Sequence, residues 1–363
     1  MFKNKYGIFA LTLAVAAMGI TGCSSASADT AVSSGVISAD SQSEENDQSS
    51  DSSASESFSI VCTIFPEYDW TKEILGSHSG NAELSYLLDN GADLHNYQPT
   101  ADDIVKISAC DLFIYVGGES DEWAEDALSN AINPDMKVIN LMDILGDSAK
   151  VEELKEGMQE SEHEHEHDED EEEHEHEHEH EEGEVEYDEH VWLSLKNAEV
   201  LCTEIEKNIE AIDPANAADY KSNLESYIAE LDELDSSFRT LVDGTSVKTL
   251  VFGDRFPFRY FVDDYGLDYY AAFIGCSAES EASFKTINFL ADKINELDCD
   301  TVYTLENSNK DIASSVINNS GKDGVQIAEL NSLQSVSQSD IANGASYISL
   351  MQKNYKVLCD TLK

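Results

Sequence analysis

The chain has 363 residues, 74 of them Asp or Glu and 21 Lys or Arg, for a formal net charge of −53. So acidic a chain has no clustered basic surface for a phosphate backbone, which excludes nucleic acid as a partner, and its summed field attracts cations. Apolar residues make up 41%, enough for a packed core, and the length allows two domains of ordinary size.

Lys3 and Lys5 precede an apolar stretch, Tyr6 to Ile20. It has the length of an export signal and is short for a membrane span. It ends Ile20-Thr21-Gly22-Cys23, which resembles a bacterial lipoprotein box. That resemblance implies cleavage before Cys23 and acylation of its thiol, making residues 1–22 a signal peptide. Residues 23–57 are rich in Ser, Asp, Ala and Glu and poor in bulky apolar side chains, so a solvated tether is expected. A lipid-anchored protein on the extracytoplasmic face of the cell membrane follows.

The first folded segment alternates strand and helix. Phe58 to Pro66 is a short β-rich run ended by proline, and Glu67 to Leu75 has helical spacing that stops at Gly76. Ala82 to Leu88 reads as a strand, followed by the loop DNGADLHNYQP. Thr100 with Asp102 and Asp103 opens a helix to about Ser108. Asp111 to Val116, Glu119 to Asn130 and Lys137 to Asn140 continue as strand, helix and strand. The alternation predicts a parallel-sheet α/β lobe over 58–189.

That lobe includes an insertion over 151–189. Its stretch from Glu160 to Glu189 has no apolar residue before Val185, and it holds seven of the ten histidines: His163, His165, His167, His174, His176, His178 and His180. It cannot form a core. Imidazole nitrogens and carboxylate oxygens are ligands for borderline divalent metals, zinc above all, so the loop points to accessory metal binding.

Leu193 to Ile212 and Pro214 to Val242 are long helical runs within a 190–242 linking region. In the second, Tyr220, Leu224, Tyr227, Ile228, Leu231, Leu234, Phe238 and Leu241 hold a 3–4 spacing. The first is expected to cross between lobes as a spine. A second α/β series fills 243–363. Strands are expected at VKTLVF, at LDYYAAFIG, over Thr301–Leu305 and over Val325–Ala328. Helices are expected at Pro257–Tyr265, Ser283–Leu297, Ile312–Asn319 and Ile341–Leu362. Two α/β lobes about a long helix form a cleft, with ligands at strand C-termini. Six cysteines beyond Cys23 show no CxxC spacing, which argues against a thiolate zinc cluster. Pairing of Cys299 with Cys359 stays open.

Outside the acidic run lie His78, in a polar turn, and His95 and His190, each in a loop after an acidic residue and before an aromatic element. GADLHNYQPTADDI resembles the G-x-x-x-H-x-Y/F-x-P segment of the zinc and manganese solute-binding lipoproteins of ABC importers, the ZnuA/AdcA/TroA-like family. DEHVWLSLKNA is similar to that family's second histidine segment. TIFPEYDWTKEILG, IYVGGESDEW, YFVDDYGL and SYISLMQKNYKVL match it too, from about Phe58 to the C-terminus.

The resemblance implies two Rossmann-like (β/α)4 lobes joined by a long rigid backbone helix, with the metal cleft between them. It carries ligand roles to His95 and His190. The family's third ligand falls on Arg255, whose guanidinium has no lone pair to give. Asp254, its neighbour, is the candidate replacement. The carboxylate of an L-D-P-L segment falls on Asn331, which leaves Glu306 as the nearest strand-end carboxylate, with Glu279 and Glu281 weaker.

The resulting expectation is a zinc-capturing protein, monomeric, that delivers Zn2+ to an ABC permease and its ATPase. Alternatives are Mn2+ or iron as cargo, or an adhesin-like surface lipoprotein with an altered cleft. An enzyme is not expected, since no HExxH helix or nucleophile elbow is present.

Overall fold

The structure is a computed structural model and describes residues 57–159, 186–277 and 281–362. The expected signal peptide, Cys23, the tether up to residue 56, the seven loop histidines and Glu279 lie outside the described residues.

The N-terminal lobe runs β1 (Phe58–Cys62), α1 (Phe65–Leu75), β2 (Ala82–Tyr86), α2 (Ala101–Ala109), β3 (Leu112–Tyr115), α3 (Trp123–Ser129), β4 (Lys137–Asn140) and α4 (Leu141–Leu145). Its four strands are parallel in the order β2-β1-β3-β4. Local chemistry sets the helix starts. Glu67 accepts from the Thr63 and Ile64 amides at 2.8 and 3.2 Å, closing the first turn of α1. Thr100 and Asp103 form a reciprocal capping box at α2.

Two helices follow, α5 (Leu195–Ile212) and α6 (Ala217–Gly244). Ser194 caps α5 by accepting from the Asn197 amide at 3.1 Å. At 28 residues, α6 is about 42 Å long, and it reaches both lobes. It packs on α1 and α5 at one end and on helices of the C-terminal lobe at the other. The expectation that the first helix is the spine is therefore corrected: α5 packs on α1, α4 and β4 of the N-terminal lobe. Eighteen residues with one apolar stripe suit a lobe helix, whereas the longer stripe of α6 is buried from Tyr220 to Val242.

The C-terminal lobe runs β5 (Thr249–Val251), β6 (Arg255–Phe256), α7 (Arg259–Tyr265), β7 (Asp268–Tyr270), β8 (Phe273–Ile274), α8 (Phe284–Glu296), β9 (Thr301–Leu305), α9 (Asp311–Ser320), β10 (Gln326–Leu330), α10 (Gln338–Ala342) and α11 (Tyr347–Thr361). Strand β5 pairs with β7, β6 with β8 and β9 with β10, all parallel. A parallel bridge from Phe252 to Tyr303 joins the two halves. With β6 and β8 prolonging β5 and β7, the order β7-β5-β9-β10 repeats that of the first lobe. In each lobe the first strand is flanked by the second on one side and the third on the other, so a switch-point crevice opens at its C-terminal end. The expected single helix over Ile341–Leu362 breaks into α10 and α11, because Gly344 turns at φ +92 and Ser346 caps afresh.

One apolar core runs through both lobes, from Phe58 and Trp70 through Trp192 and Phe238 to Tyr347, and a second, including Phe273, Leu290, Val302 and Val316, lies within the C-terminal lobe. The start of the acidic insertion belongs to this body. Val151 bridges Tyr187, Gln159 donates to the Ala272 carbonyl at 3.0 Å and Lys155 pairs with Asp268, so residues 151–159 pack on the C-terminal lobe. Cys62, Cys110, Cys202, Cys276, Cys299 and Cys359 are all free thiols. Among the described residues no helix is long and apolar enough to cross a membrane.

Candidate metal centre

His95 sits in the loop after β2, on a single 3₁₀ turn whose N-cap, Asp93, accepts from the His95 amide at 3.1 Å. His190 immediately precedes the 3₁₀ turn that leads into α5 and is fully buried. The fold brings the two rings together, with Nε2 facing Nε2 at 3.2 Å. The ring centroids are 5.1 Å apart.

Each ring is held from its far side. Asp188 Oδ1 accepts both from the His190 backbone N–H and from Nδ1, each at 2.9 Å. His95 Nδ1 meets Ser120 Oγ at 2.7 Å and Glu189 Oε2 at 3.5 Å. Glu189 in turn accepts from the Ser120 amide at 2.8 Å. The Asp188 carboxylate fixes His190 as the Nδ1–H tautomer with its lone pair on Nε2, while at His95 the Ser120 hydroxyl can donate to or accept from Nδ1. The 3.2 Å gap suits either an N–H···N hydrogen bond between the rings or a cation held by both Nε2 lone pairs. Two tetrahedral Zn–N bonds place their nitrogens ~3.3 Å apart, so the spacing already suits one.

Burial pushes the His95 imidazole down to about 3, and His190 and Arg255 add to the effect against Asp93. His95 thus stays neutral and able to ligate well below the usual histidine range. Burial raises the Glu189 carboxyl as well, and its Oε2 has no hydrogen-bond partner. A cavity of about 320 Å³ opens beside the pair, lined by His95, Glu119, Glu152, Glu186, Glu189 and Cys276 among others. Burial, then the charge of Asp188, pushes Glu152 up to about 7.

Asp254 and Glu306, expected from sequence as the remaining ligands, are turned to other partners. Asp254 accepts from the Arg255 amide at 2.9 Å and the Leu305 amide at 3.1 Å, tying two strand ends together. Glu306 accepts from the Ser332 amide at 2.7 Å and its hydroxyl at 2.6 Å. Neither belongs to a group of three ligand-type side chains among the described residues: Asp254 is engaged by two backbone amides and Glu306 by the amide and hydroxyl of Ser332. Asn331 accepts from the Leu333 amide at 2.9 Å, within its own turn. Glu281 also stands outside that group, and His78 pairs with Asp219 at 2.7 Å on the surface.

Arg255 reaches across the cleft to Asp93 at 2.5 Å. Burial would raise the Asp93 carboxyl, but Arg255 and His95 outweigh it and hold it below its ordinary value. The guanidinium is therefore neutralised by the residue that caps the His95 turn.

Two neighbours of the pair were missed in sequence. Gln334 Nε2 lies 3.5 Å from His95 Nε2, and Gln334 directly follows the Leu330-Asn331-Ser332-Leu333 segment, where the sequence signal pointed to Asn331 instead. Cys276 follows β8, and its sulfur lies within 4.8 Å of both imidazoles. Its only sequence signal was its place just past a strand C-terminus.

A profile of the family described as "Zinc-uptake complex component A periplasmic" matches residues 60–361. The "Zinc-binding lipoprotein AdcA" of Streptococcus pneumoniae is 30% identical over 302 residues, covering 83% of this chain. The chain spans about half the length of that relative, 55%. The "High-affinity zinc uptake system protein ZnuA" of Bacillus subtilis is 29% identical over 303 residues, 84% of this chain and 87% of the relative. The Zn(II)-bound ZnuA-like domain of S. pneumoniae AdcA superposes with a TM-score of 0.63 at 26% identity, covering 84% of this chain and 99% of that one.

Proposed function

The chain belongs to the zinc-uptake complex component A family, and on that footing we propose that it captures Zn2+ outside the cytoplasmic membrane and hands it to an ABC permease and its ATPase. The observation that carries this reading is the pair of buried Nε2 atoms facing each other at 3.2 Å, each ring clamped through Nδ1. The arrangement is prepared for a cation before one arrives, so binding costs little reorganisation.

The lipoprotein box at Cys23 would anchor the protein, and the seven loop histidines would gather metal near the cleft. The chain supplies no hydrolytic function in this reading. The carboxylates beside the pair would conduct cations inward by their field rather than hold them.

The test is a zinc titration of protein in which 160–185 is exchanged for a Gly/Ser linker, sparing the packed 151–159. One tight site that disappears in His190→Ala supports capture at the pair. Absence of any tight site in the parent, or tight manganese binding without a preference for zinc, would overturn it.

A further inference from the structure

We propose that Cys276 is the third metal donor and makes the centre a His2Cys site. This rests on the reading of His95 and His190 as ligands and extends it to the lobe opposite them. His95 and His190 both come from the N-terminal side of the cleft. Without a donor from the C-terminal lobe the ion would be held from one side only.

The C-terminal lobe offers few candidates. Asp254 and Glu306 are bound to backbone amides, and Arg255 cannot ligate and is engaged by Asp93. Cys276 remains. It stands just past the end of β8 with its backbone amide donating to Glu152 at 3.3 Å, which fixes the loop. Its Sγ and one ring nitrogen of each histidine all lie within 4.8 Å of one another. Tetrahedral zinc with bonds of about 2.05 Å to nitrogen and 2.3 Å to sulfur places N and S ~3.6 Å apart. From that limit, a side-chain adjustment of no more than about 1 Å closes the difference.

The chemistry is coherent. The thiol gives up one proton to solvent as the Zn–S bond forms, so one proton is released per ion bound at this donor. The thiolate is the one anionic donor in the set, since Arg255 is already balanced by Asp93 and Gln334 is neutral. A thiolate with two imidazoles favours zinc and cobalt and disfavours manganese, which prefers oxygen. Cys276 thereby becomes the residue that rejects manganese.

The experiment is a cobalt(II) titration of the full chain. Bound thiolate gives an intense near-ultraviolet sulfur-to-cobalt charge-transfer band that imidazole and carboxylate cannot give, so the His-rich loop does not contribute to it. The expected result is a band that saturates at one equivalent and is lost in Cys276→Ser, with zinc affinity falling about 10-fold or more and the margin over manganese narrowing. X-ray absorption of the zinc-loaded protein, with one Zn–S contact at about 2.3 Å, provides a check that needs no variant. A tight site without the band or the Zn–S contact overturns the assignment and leaves capture by the histidine pair standing. Retention of the band in Cys276→Ser overturns it equally. Loss of all tight binding in the parent overturns the earlier reading itself.

Discussion

Asp188 offers the sharpest test of how the pair is prepared. Its side chain serves the His190 ring: Oδ1 accepts from the His190 amide and from Nδ1, each at 2.9 Å, in a site only 2% exposed. Its other bonds, to Lys150 and Tyr260, are made by its backbone and survive substitution. Asp188→Ala removes the group that fixes ring orientation and tautomer. Loss of such an outer partner weakens metal binding about 10–100-fold, or roughly 1.4–2.7 kcal/mol. Asp188→Asn keeps an acceptor in place and loses only the charge. The difference between a charged and a neutral hydrogen bond is about 1 kcal/mol, so a loss of about fivefold is expected. Competition with a chromophoric zinc chelator, on protein lacking 160–185, measures both, and circular dichroism checks the fold. If Asp188→Ala bound zinc within twofold of its parent while folded, the preorganisation argument would be refuted.

Three further outcomes follow from the geometry. In Gly275→Ala the new Cβ would stand 2.8 Å from His190 Cε1, too close for a ring pinned by Asp188; zinc affinity should drop about tenfold, and an unchanged affinity in a folded variant would refute this. Glu306→Gln should cost roughly 1–2 kcal/mol in a urea melt, because the NH2 that replaces one carboxylate oxygen cannot accept from the Ser332 donor facing it, yet leave zinc affinity within a few fold; collapse of zinc binding would reinstate Glu306 as a ligand. Asp69 accepts from the Tyr347 amide at 2.7 Å, and burial lifts its carboxyl from 3.8 to about 6. The raised value means the native state holds the extra proton, so this contribution is full below about pH 4 and is lost as pH rises through 6. Relative to wild type, Asp69→Asn should therefore gain up to about 3 kcal/mol between pH 4 and 7; parallel stability–pH curves would sink that account.

The alternation of strands and helices was legible in the chain because the runs are short, apolar and punctuated: FSIVC before Pro66, TVYTL before Glu306. What sequence could not rank was which long helix spans the lobes, since α5 and α6 both carry an apolar stripe and only tertiary contacts tell them apart. The two loop histidines stood out through the motifs around them. The C-terminal half of the site did not, for a physical reason. Asp254 and Glu306 are carboxylates at strand ends, but strand ends also expose unpaired amides, and a carboxylate can accept from these instead of binding a metal. Cys276 carries no motif, and its approach to His190 depends on Gly275, which lacks a Cβ that would hold the ring away.

The seam between the lobes is sewn at many points. Trp192 donates to the Ser332 carbonyl at 2.9 Å, Tyr347 to the Trp192 carbonyl at 2.6 Å, Tyr86 to the Val336 carbonyl at 3.0 Å, and Asn90 bridges Ser337. On the proposed function, this would make the ion's off-rate a matter of local fraying rather than of hinge opening. Parting the lobes would break the shared core and approach the free energy of unfolding, whereas lifting a rim loop needs only a small fraction of it. Hydrogen exchange should then show the amides around Trp192 and Tyr347 among the last to open, and those of the Asp93–Asn96 turn among the first. A transporter that docks on that rim would not need to pry the protein apart; it would only have to hold one short turn aside while the ion leaves.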